Sequence, residues 1–269
     1  MYQFEYHKPS SLADSIELFN KLEFPKYLAG GMTLIPAMKQ KLSSPTDLID
    51  LQNIDELKGI NKSKDNTIIV GAFSSHNEIA NSLLIKNNIK GLSYLASKIA
   101  DNAVRNCGTI GGSICNADPA ADYPAALLSL EATINTNNRS IPAKDFFIDM
   151  FETKLESHEI VTSITFPIKS KSFYLKFSSQ ASKYAIVGMF ACIVNDQLSV
   201  SMGREKSEKY TQGTGALANK QVEQTVDSIQ AAYTIGGATL GIVNTQADDA
   251  DYITSRESKA TVFSMALAF

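Results

Sequence analysis

Apolar residues recur along the chain in two periods, one typical of strands and the other typical of helices. Alternating or continuous apolar runs predict strands at residues 2–6, 46–51, 67–73, 133–136, 159–166 and 172–177. Helical spacing and start signals predict helices beginning at Ser11, Leu34, Ser75 and Asp122, and another over residues 92–103. Helices and strands therefore alternate along this part of the chain.

Two of these helix starts carry a capping-box signal. Ser11 precedes Asp14 by three residues, and Ser75 precedes Glu78 by the same spacing. In such a box the serine hydroxyl accepts a hydrogen bond from the backbone N–H three residues later. Both helices should therefore begin at these serines.

The pattern changes after Ala185. An apolar run to Val194, a turn at Asn195-Asp196 and a return to Met202 predict a hairpin. The last dozen residues predict a terminal helix. A further helical face is predicted from the spacing of Val222, Val226, Ile229 and Tyr233.

Composition narrows the possible classes of protein. The chain has 269 residues, 44% of them hydrophobic, which is enough for a substantial core. A net charge of -3 provides no bulk attraction to nucleic acid or to anionic membranes. No stretch approaches the roughly 20 apolar residues that cross a bilayer, and Glu5 interrupts any signal-like start. We expect a cytoplasmic protein.

The metal-binding residue types are sparse and scattered. The three cysteines lack C-x-x-C spacing, and the three histidines have no ligand motif around them. The sequence therefore predicts no metal site and no iron–sulfur cluster in this chain. Any redox centre that it carries should be organic.

Two glycine-rich segments, residues 27–36 and 105–122, carry the strongest functional signal. Glycine pairs let backbone N–H groups approach an anion, and neighbouring hydroxyls add donors. The pair at Gly30-Gly31, taken alone, could be an ordinary turn at the end of a strand. The second pair, Gly111-Gly112, should lie in a loop after the helix predicted at 92–103, and it has more polar neighbours than a turn needs. Together the segments predict a pyrophosphate cradle.

Two other glycine motifs lack the sequence context of a nucleotide site. Thr234-Ile-Gly-Gly237 repeats the tetrapeptide of the second segment but lacks its Asn and Asp tail, and it predicts a helix-ending turn. Residues 213–218 fit G-x-G-x-x-A, yet a charged segment precedes them where a Rossmann fingerprint requires an apolar strand.

The two segments resemble the AGG and TIGG motifs of the FAD-binding medium subunit of molybdenum hydroxylases, the family of aerobic carbon monoxide dehydrogenase and xanthine dehydrogenase. The likeness runs from residue 1 to about Ala191 and includes residues 4–9 and 159–161. It implies an α+β fold with two FAD-binding subdomains of the vanillyl-alcohol-oxidase type, at residues 1–57 and 58–168. A smaller α+β C-terminal domain would occupy residues 169–269.

The resemblance also implies which residues bind FAD, with no catalytic residue. The positions that match the family's motifs are Ala29, Gly30, Gly31, Met32, Thr33, Thr109, Ile110, Gly111, Gly112, Ser113, Asn116, Asp122, Val161, Lys176 and Tyr184. From the residues alone, Asp122 is also a plain helix cap, Lys176 a solvated lysine and Tyr184 a core or interface tyrosine. The segment Ser182-Lys183-Tyr184-Ala185 departs from the family's usual Gly-Asp-Tyr-Ala.

By the same resemblance, the chain would pass electrons within a complex. A large subunit would carry the molybdenum cofactor, and a small subunit would carry two [2Fe-2S] clusters. Quinone, NAD or oxygen would accept the electrons. Two alternatives stay open at this point, a stand-alone FAD oxidoreductase and a flavin-free scaffold subunit.

Overall fold

The computed structural model describes residues 1–169, 171–194, 197–204, 207–211, 220–235, 238–248 and 258–267. The chain divides into two compact units, Met1–Gly203 and Arg204–Phe269. The mixture of helices and strands confirms the predicted α+β class. Within the described residues, no helix is long and apolar enough to cross a membrane.

The helices all belong to the first unit. They are α1 (Leu12–Lys21), α2 (Leu34–Lys39), α3 (His76–Asn81), α4 (Leu83–Asn88), α5 (Lys90–Ser97), α6 (Asn102–Cys107), α7 (Ile110–Asn116), α8 (Tyr123–Ser129) and α9 (Ala143–Phe146), with a 3-10 turn at Asp55–Leu57. These are the helices of the described part of the chain.

The strands run through both units. In the first unit they are β1 (Glu5–His7), β2 (Pro25–Leu28), β3 (Asp47–Asp50), β4 (Ile60–Lys62), β5 (Thr67–Gly71), β6 (Thr133–Thr136), β7 (Ser140–Pro142), β8 (Phe147–Asp149), β9 (Glu152–Thr153), β10 (Val161–Pro167), β11 (Ser172–Ser178), β12 (Ala185–Val194) and β13 (Gln197–Arg204), the last of which reaches the boundary between the units. In the second they are β14 (Ser207–Thr211), β15 (Lys220–Ile235), β16 (Ala238–Asp248) and β17 (Ser258–Leu267).

The N-terminal part is a small parallel sheet of order β1-β3-β2. Helices α1 and α2 make its two crossovers, and the hydroxyl of Ser11 accepts from the Asp14 N–H at 3.1 Å, as predicted. The first strand lies at Glu5–His7, slightly later than the sequence predicts. The side chain of His7 on β1 contacts β3, since its Nε2 lies 2.8 Å from Asp47 Oδ1.

The main core is one buried cluster that two sheets and several helices share. The five-stranded antiparallel sheet of order β4-β5-β10-β6-β7 contributes to it together with helices α3, α5, α7 and α8. The three-stranded sheet β11-β12-β13 contacts α5 and α8, and its Tyr174 and Phe190 belong to the same cluster. A smaller cluster around Ile54 and Leu57 lies under the first sheet. The first unit therefore holds one large core and one satellite.

The helix predicted over residues 92–103 is wrong in its extent. Helix α5 ends at Ser97, and Ala100 has a left-handed backbone with φ of 40°. A new helix then starts at Asp101, whose carboxylate accepts from the Val104 N–H at 2.9 Å. An Asp cap is a strong start signal, so it divides what apolar spacing alone joins.

The helices predicted in the second unit are also wrong. Strand β15 occupies the segment of the predicted Val222 to Tyr233 face, and β17 lies where the terminal helix was expected. Both belong to the antiparallel order β14-β15-β16-β17, in which a long ladder supplies the backbone hydrogen bonds. The segment is also rich in β-branched residues, which suit strands. The Asn195-Asp196 turn, residues 213–218 and the Gly236-Gly237 pair lie outside the described residues.

Candidate functional site

Within the first glycine segment, Ala29 to Thr33 form the turn between β2 and α2. Gly31 has a left-handed φ of 69°, which glycine adopts without strain. Among the described residues, no hydrogen-bond acceptor contacts the backbone N–H groups of Gly30, Gly31, Met32 and Thr33. Consecutive unpaired N–H groups in a turn make a site for an anion.

The second glycine segment differs from the prediction, because Gly111 and Gly112 lie in the first turn of α7 and not in a loop. Thr109 is the N-cap, and its Oγ1 accepts from the Gly112 N–H at 3.1 Å. The Gly111 N–H donates to the Ala72 carbonyl at 2.9 Å. Ser113 donates its backbone N–H to Thr109 O at 3.0 Å. These amides are already paired, so the expectation that both pairs offer free N–H groups is wrong for the second.

The two segments nevertheless abut. A Cβ placed on Gly30 would lie 2.0 Å from the carbonyl oxygen of Cys107 and 2.7 Å from the Cα of Gly108. A Cβ on Gly112 would lie 3.8 Å from that of Ala29. The turn and the start of α7 therefore form one continuous surface, as the cradle prediction requires. Small residues are needed because the two backbones approach so closely.

The side chains around this surface complete a donor set for phosphate. Thr33 is exposed and Ser113 is half-buried, and each carries a hydroxyl that can donate. Asn116, the last residue of α7, is also half-buried. Free backbone N–H groups, hydroxyls and a backbone that excludes Cβ atoms fit a pyrophosphate. The residues present therefore fit the phosphate portion of FAD.

A second group of predicted residues lies in a buried polar cluster. Asp122 occupies the N-cap position of α8, but its side chain makes no capping hydrogen bond. Instead its carboxylate accepts from Tyr174, and Lys176 Nζ lies 2.9 Å from Oδ1 and 3.0 Å from Oδ2. Lys176 also donates to the Lys98 carbonyl at 3.2 Å. Since its side chain is only 4% exposed, the interpretation of Lys176 as a solvated lysine is wrong.

The electrostatics of this cluster follow from its burial. Loss of solvent raises the pKa of Asp122, while the Lys176 charge and the hydrogen bonds from Tyr174 and Lys176 oppose the rise. Burial and the neighbouring Asp122 raise the pKa of Tyr174 strongly. The tyrosine is therefore a neutral donor. Tyr174 was not among the sequence-predicted residues, although strand alternation places it on the face of Lys176.

The other predicted residues lie at the margins of these groups. Val161 is buried at the start of β10, the strand that packs against α7. Tyr184 directly precedes β12 and is 40% exposed. Their contacts with FAD stay predictions.

His76 lies directly behind the cradle, and the sequence offered no functional signal for it. Its Nδ1 lies 3.1 Å from the Tyr123 hydroxyl, and its Nε2 would be 2.7 Å from a Cβ on Gly108. Burial, with a smaller contribution from the Arg105 charge, lowers the pKa of His76 to about 4. The imidazole is therefore neutral near pH 7 and packs as part of the support for the second segment.

Comparison with known proteins agrees with this geometry. Residues 2–169 match the family described as the FAD binding domain in molybdopterin dehydrogenase. The chain belongs to this family. FAD is therefore its cofactor, and it is an oxidoreductase subunit of the molybdenum hydroxylase class.

Its relatives include medium chains of several dehydrogenases. The carbon monoxide dehydrogenase medium chain of Hydrogenophaga pseudoflava is 34% identical over 69% of this chain and 67% of its own length. Subunit alpha of the 6-hydroxypseudooxynicotine dehydrogenase complex of Paenarthrobacter nicotinovorans is 30% identical over 86% of this chain and 82% of its own. Among solved structures, carbon monoxide dehydrogenase from Hydrogenophaga pseudoflava matches with a TM-score of 0.72 and 32% identity over 75% of each chain.

Proposed function

We propose that this chain is the FAD-binding electron-transfer subunit of a molybdenum hydroxylase complex. The observation that carries the proposal is the close contact between the two glycine segments, at Gly30 and Cys107, beside a row of free backbone N–H groups. That surface fits a pyrophosphate. When bound, the flavin would supply the redox chemistry, since it works in both one-electron and two-electron steps.

Different residues of the cradle would bind different parts of FAD. The turn from Ala29 to Thr33 would donate backbone N–H groups to the phosphates. Thr109 and Ser113 would add hydroxyls, and Gly111 and Gly112 would keep the start of α7 free of side chains. We assign Asn116, Asp122, Val161, Lys176 and Tyr184 to the remainder of the cofactor site on the resemblance of their segments.

The proposed direction of electron flow rests on the resemblance to the medium subunits of molybdenum hydroxylases. We propose that electrons enter from the [2Fe-2S] clusters of a small subunit, and that the molybdenum cofactor belongs to a large subunit. Quinone, NAD or oxygen would take the electrons from the flavin.

We propose that the protein is cytoplasmic. Its three cysteines form no disulfide framework in the sequence, which favours the cytoplasm.

The substrate of the complex is a property of the large subunit. Two relatives are named for carbon monoxide and for 6-hydroxypseudooxynicotine, although both have similar sequence identity to this chain. We propose the subdomain boundaries at residues 57/58 and 168/169 on the same resemblance, with the vanillyl-alcohol-oxidase type of FAD-binding fold.

The first test is mass spectrometry of the cofactor released from the full chain, purified with any partners attached. We expect about one FAD per chain, since one cradle binds one pyrophosphate. Gly112→Val should abolish flavin retention while the partners still associate. Gly111 is the poorer choice, because its Cβ would lie 2.7 Å from the Ala72 carbonyl oxygen and disturb packing. A chain that holds no flavin would favour the scaffold alternative.

A further inference from the structure

An open groove of about 540 Å³ lies on the outer surface of helices α3, α4, α5 and α6. It shares no lining residue with the turn at Ala29 to Thr33 or with α7, and neither the cofactor nor the proposed electron transfer accounts for it. Its polar lining includes Asn77, Asn81, Lys86, Lys90, Asn102 and Arg105.

The charge of the groove is unlike that of the chain. Three cations line it, Lys86, Lys90 and Arg105, while none of the described residues that line it is a carboxylate. The whole chain carries a net charge of -3. Lys98 lies beside the groove, with its ammonium 4.9 Å from the ring of Tyr94, a lining residue. Positive charge is therefore concentrated on one face of an acidic protein.

Hydrogen bonds within the groove occupy the oxygens of its side-chain amides. Lys86 Nζ lies 3.5 Å from Asn81 Oδ1, and Asn81 Nδ2 donates to Asn77 Oδ1 at 2.8 Å. Asn102 Oδ1 accepts from Arg105. Among the described residues, the Nδ2 groups of Asn77 and Asn102 donate to no acceptor. The groove therefore keeps free amide donors while its amide acceptors are already paired.

Arg105 is held in place by its backbone partners. Its Nη1 donates to the carbonyls of Ile99 at 2.6 Å and Ala100 at 2.9 Å. Lys86 and Lys90, in contrast, are exposed on adjacent helices, and both line the groove. An anion in the groove would pair with these charges and accept from the neighbouring amides.

We propose that this groove is a docking surface for an acidic, carboxylate-rich segment of a protein partner. Carboxylates match a surface of ammonium, guanidinium and amide donors, and local charge complementarity selects a partner even when the overall charge does not. The acidic balance of the rest of the chain disfavours a nucleic acid, which spreads its charge over a long surface. Arg105, which lines the groove, lies on α6, and α6 leads to Thr109. A partner seated there would reach the edge of the cradle.

The test uses the full FAD-loaded chain and a fluorescein-labelled hexaglutamate peptide, with binding followed by anisotropy. We expect binding that weakens as salt rises from about 20 to about 200 mM. The double variant Lys86→Glu/Lys90→Glu should lower the affinity at least about tenfold. The matched control is Lys62→Glu/Lys64→Glu, which makes the same change in net charge at two exposed lysines outside the groove.

Each outcome decides the proposal. An equal loss in both double variants would show a general charge effect and overturn the groove assignment. Tighter binding of an oligothymidylate with the same number of charges would overturn the choice of a protein segment. The FAD content and the melting temperature of each variant are measured in parallel, and Lys86→Gln/Lys90→Gln replaces the charge reversal if that variant unfolds. Peptide binding does not require the cradle, so loss of flavin in the parent chain would contradict the proposed function alone.

Discussion

Gly30 is the residue at which the two halves of the cradle meet, and Gly30→Ala tests that contact. The new Cβ would lie 2.0 Å from the Cys107 carbonyl oxygen and 2.7 Å from both the Cys107 carbonyl carbon and the Gly108 Cα. All three neighbours are backbone atoms, so no side-chain rotation can relieve the overlap. The turn and the start of α7 would have to separate.

The separation can be estimated from the distances. Ordinary contact begins at 3.4 Å, so the two backbones would have to move apart by about 1.4 Å at the closest pair of atoms. Backbone shifts of this kind cost about 1–3 kcal/mol. For a unit of this size, 3 kcal/mol corresponds to a fall in melting temperature of roughly 6–12 °C. Phosphate would lose about two charge-assisted hydrogen bonds, worth roughly 3 kcal/mol, which lowers FAD affinity by about a hundredfold.

The assay pairs a thermal melt with a titration of apo-protein with FAD, and Gly112→Ala serves as the control. Its Cβ would meet a side-chain oxygen, Thr109 Oγ1, at 3.0 Å, and alanine gains about 1 kcal/mol of helix propensity. We expect Gly112→Ala to keep its melting temperature while the methyl group weakens FAD binding. Unchanged melting and stoichiometric FAD in Gly30→Ala would refute the contact between the segments.

Three further predictions concern buried polar groups. His76 has a pKa of about 4, below its ordinary 6.5, so the unfolded chain binds the extra proton and stability falls as pH drops through that window. Between about pH 8 and pH 5 we expect the free energy of unfolding in urea to fall by about 2 kcal/mol, and this fall should be absent in His76→Gln. The same pH dependence of stability in the variant would contradict the assignment to His76. Tyr174→Phe should lower the free energy of unfolding by about 1.5–3 kcal/mol, because Asp122 loses a buried hydrogen-bond donor, and it should weaken FAD binding. The control is Tyr94→Phe, at an exposed tyrosine. Equal effects of the two variants would contradict the role of Tyr174 in the buried cluster. Glu159→Gln should lower the free energy of unfolding in urea by about 2 kcal/mol, since the Glu159 side chain is fully buried against a partly exposed Arg139. An unchanged free energy of unfolding would contradict the pairing of Glu159 with Arg139.

The effects of His76 and Glu159 can be separated by pH. Burial would raise the pKa of Glu159, but hydrogen bonds from Arg139 and Thr136 outweigh it and lower the pKa to about 2. Its contribution is therefore complete above its ordinary 4.5 and is lost only as pH falls toward 2. Measurements between about pH 5 and pH 8 thus report on His76 without interference from Glu159.

Local signals in the sequence predicted local structure well. The capping box at Ser75 and Glu78 is present with both of its hydrogen bonds, and the strand predicted at 133–136 has those bounds. Such signals succeed because their partners lie within a few residues. Gly111 and Gly112 show the opposite case, since glycines predict a loop where the Thr109 cap and the carbonyl of Ala72 hold a helical turn. The partner at Ala72 is distant in sequence, so no local pattern revealed it.

The sequence by itself determined the family, the cofactor and the two segments that would hold a pyrophosphate, because ordered motifs persist as strings of residues. Only the tertiary structure decided how those segments are arranged and which of their groups are already paired. It showed that the free N–H groups lie on the first segment and that Asp122 binds Tyr174 and Lys176, which follow it by 52 and 54 residues. The physical reason is that hydrogen bonding and burial depend on which distant groups packing brings together, and periodicity along one chain does not carry that information.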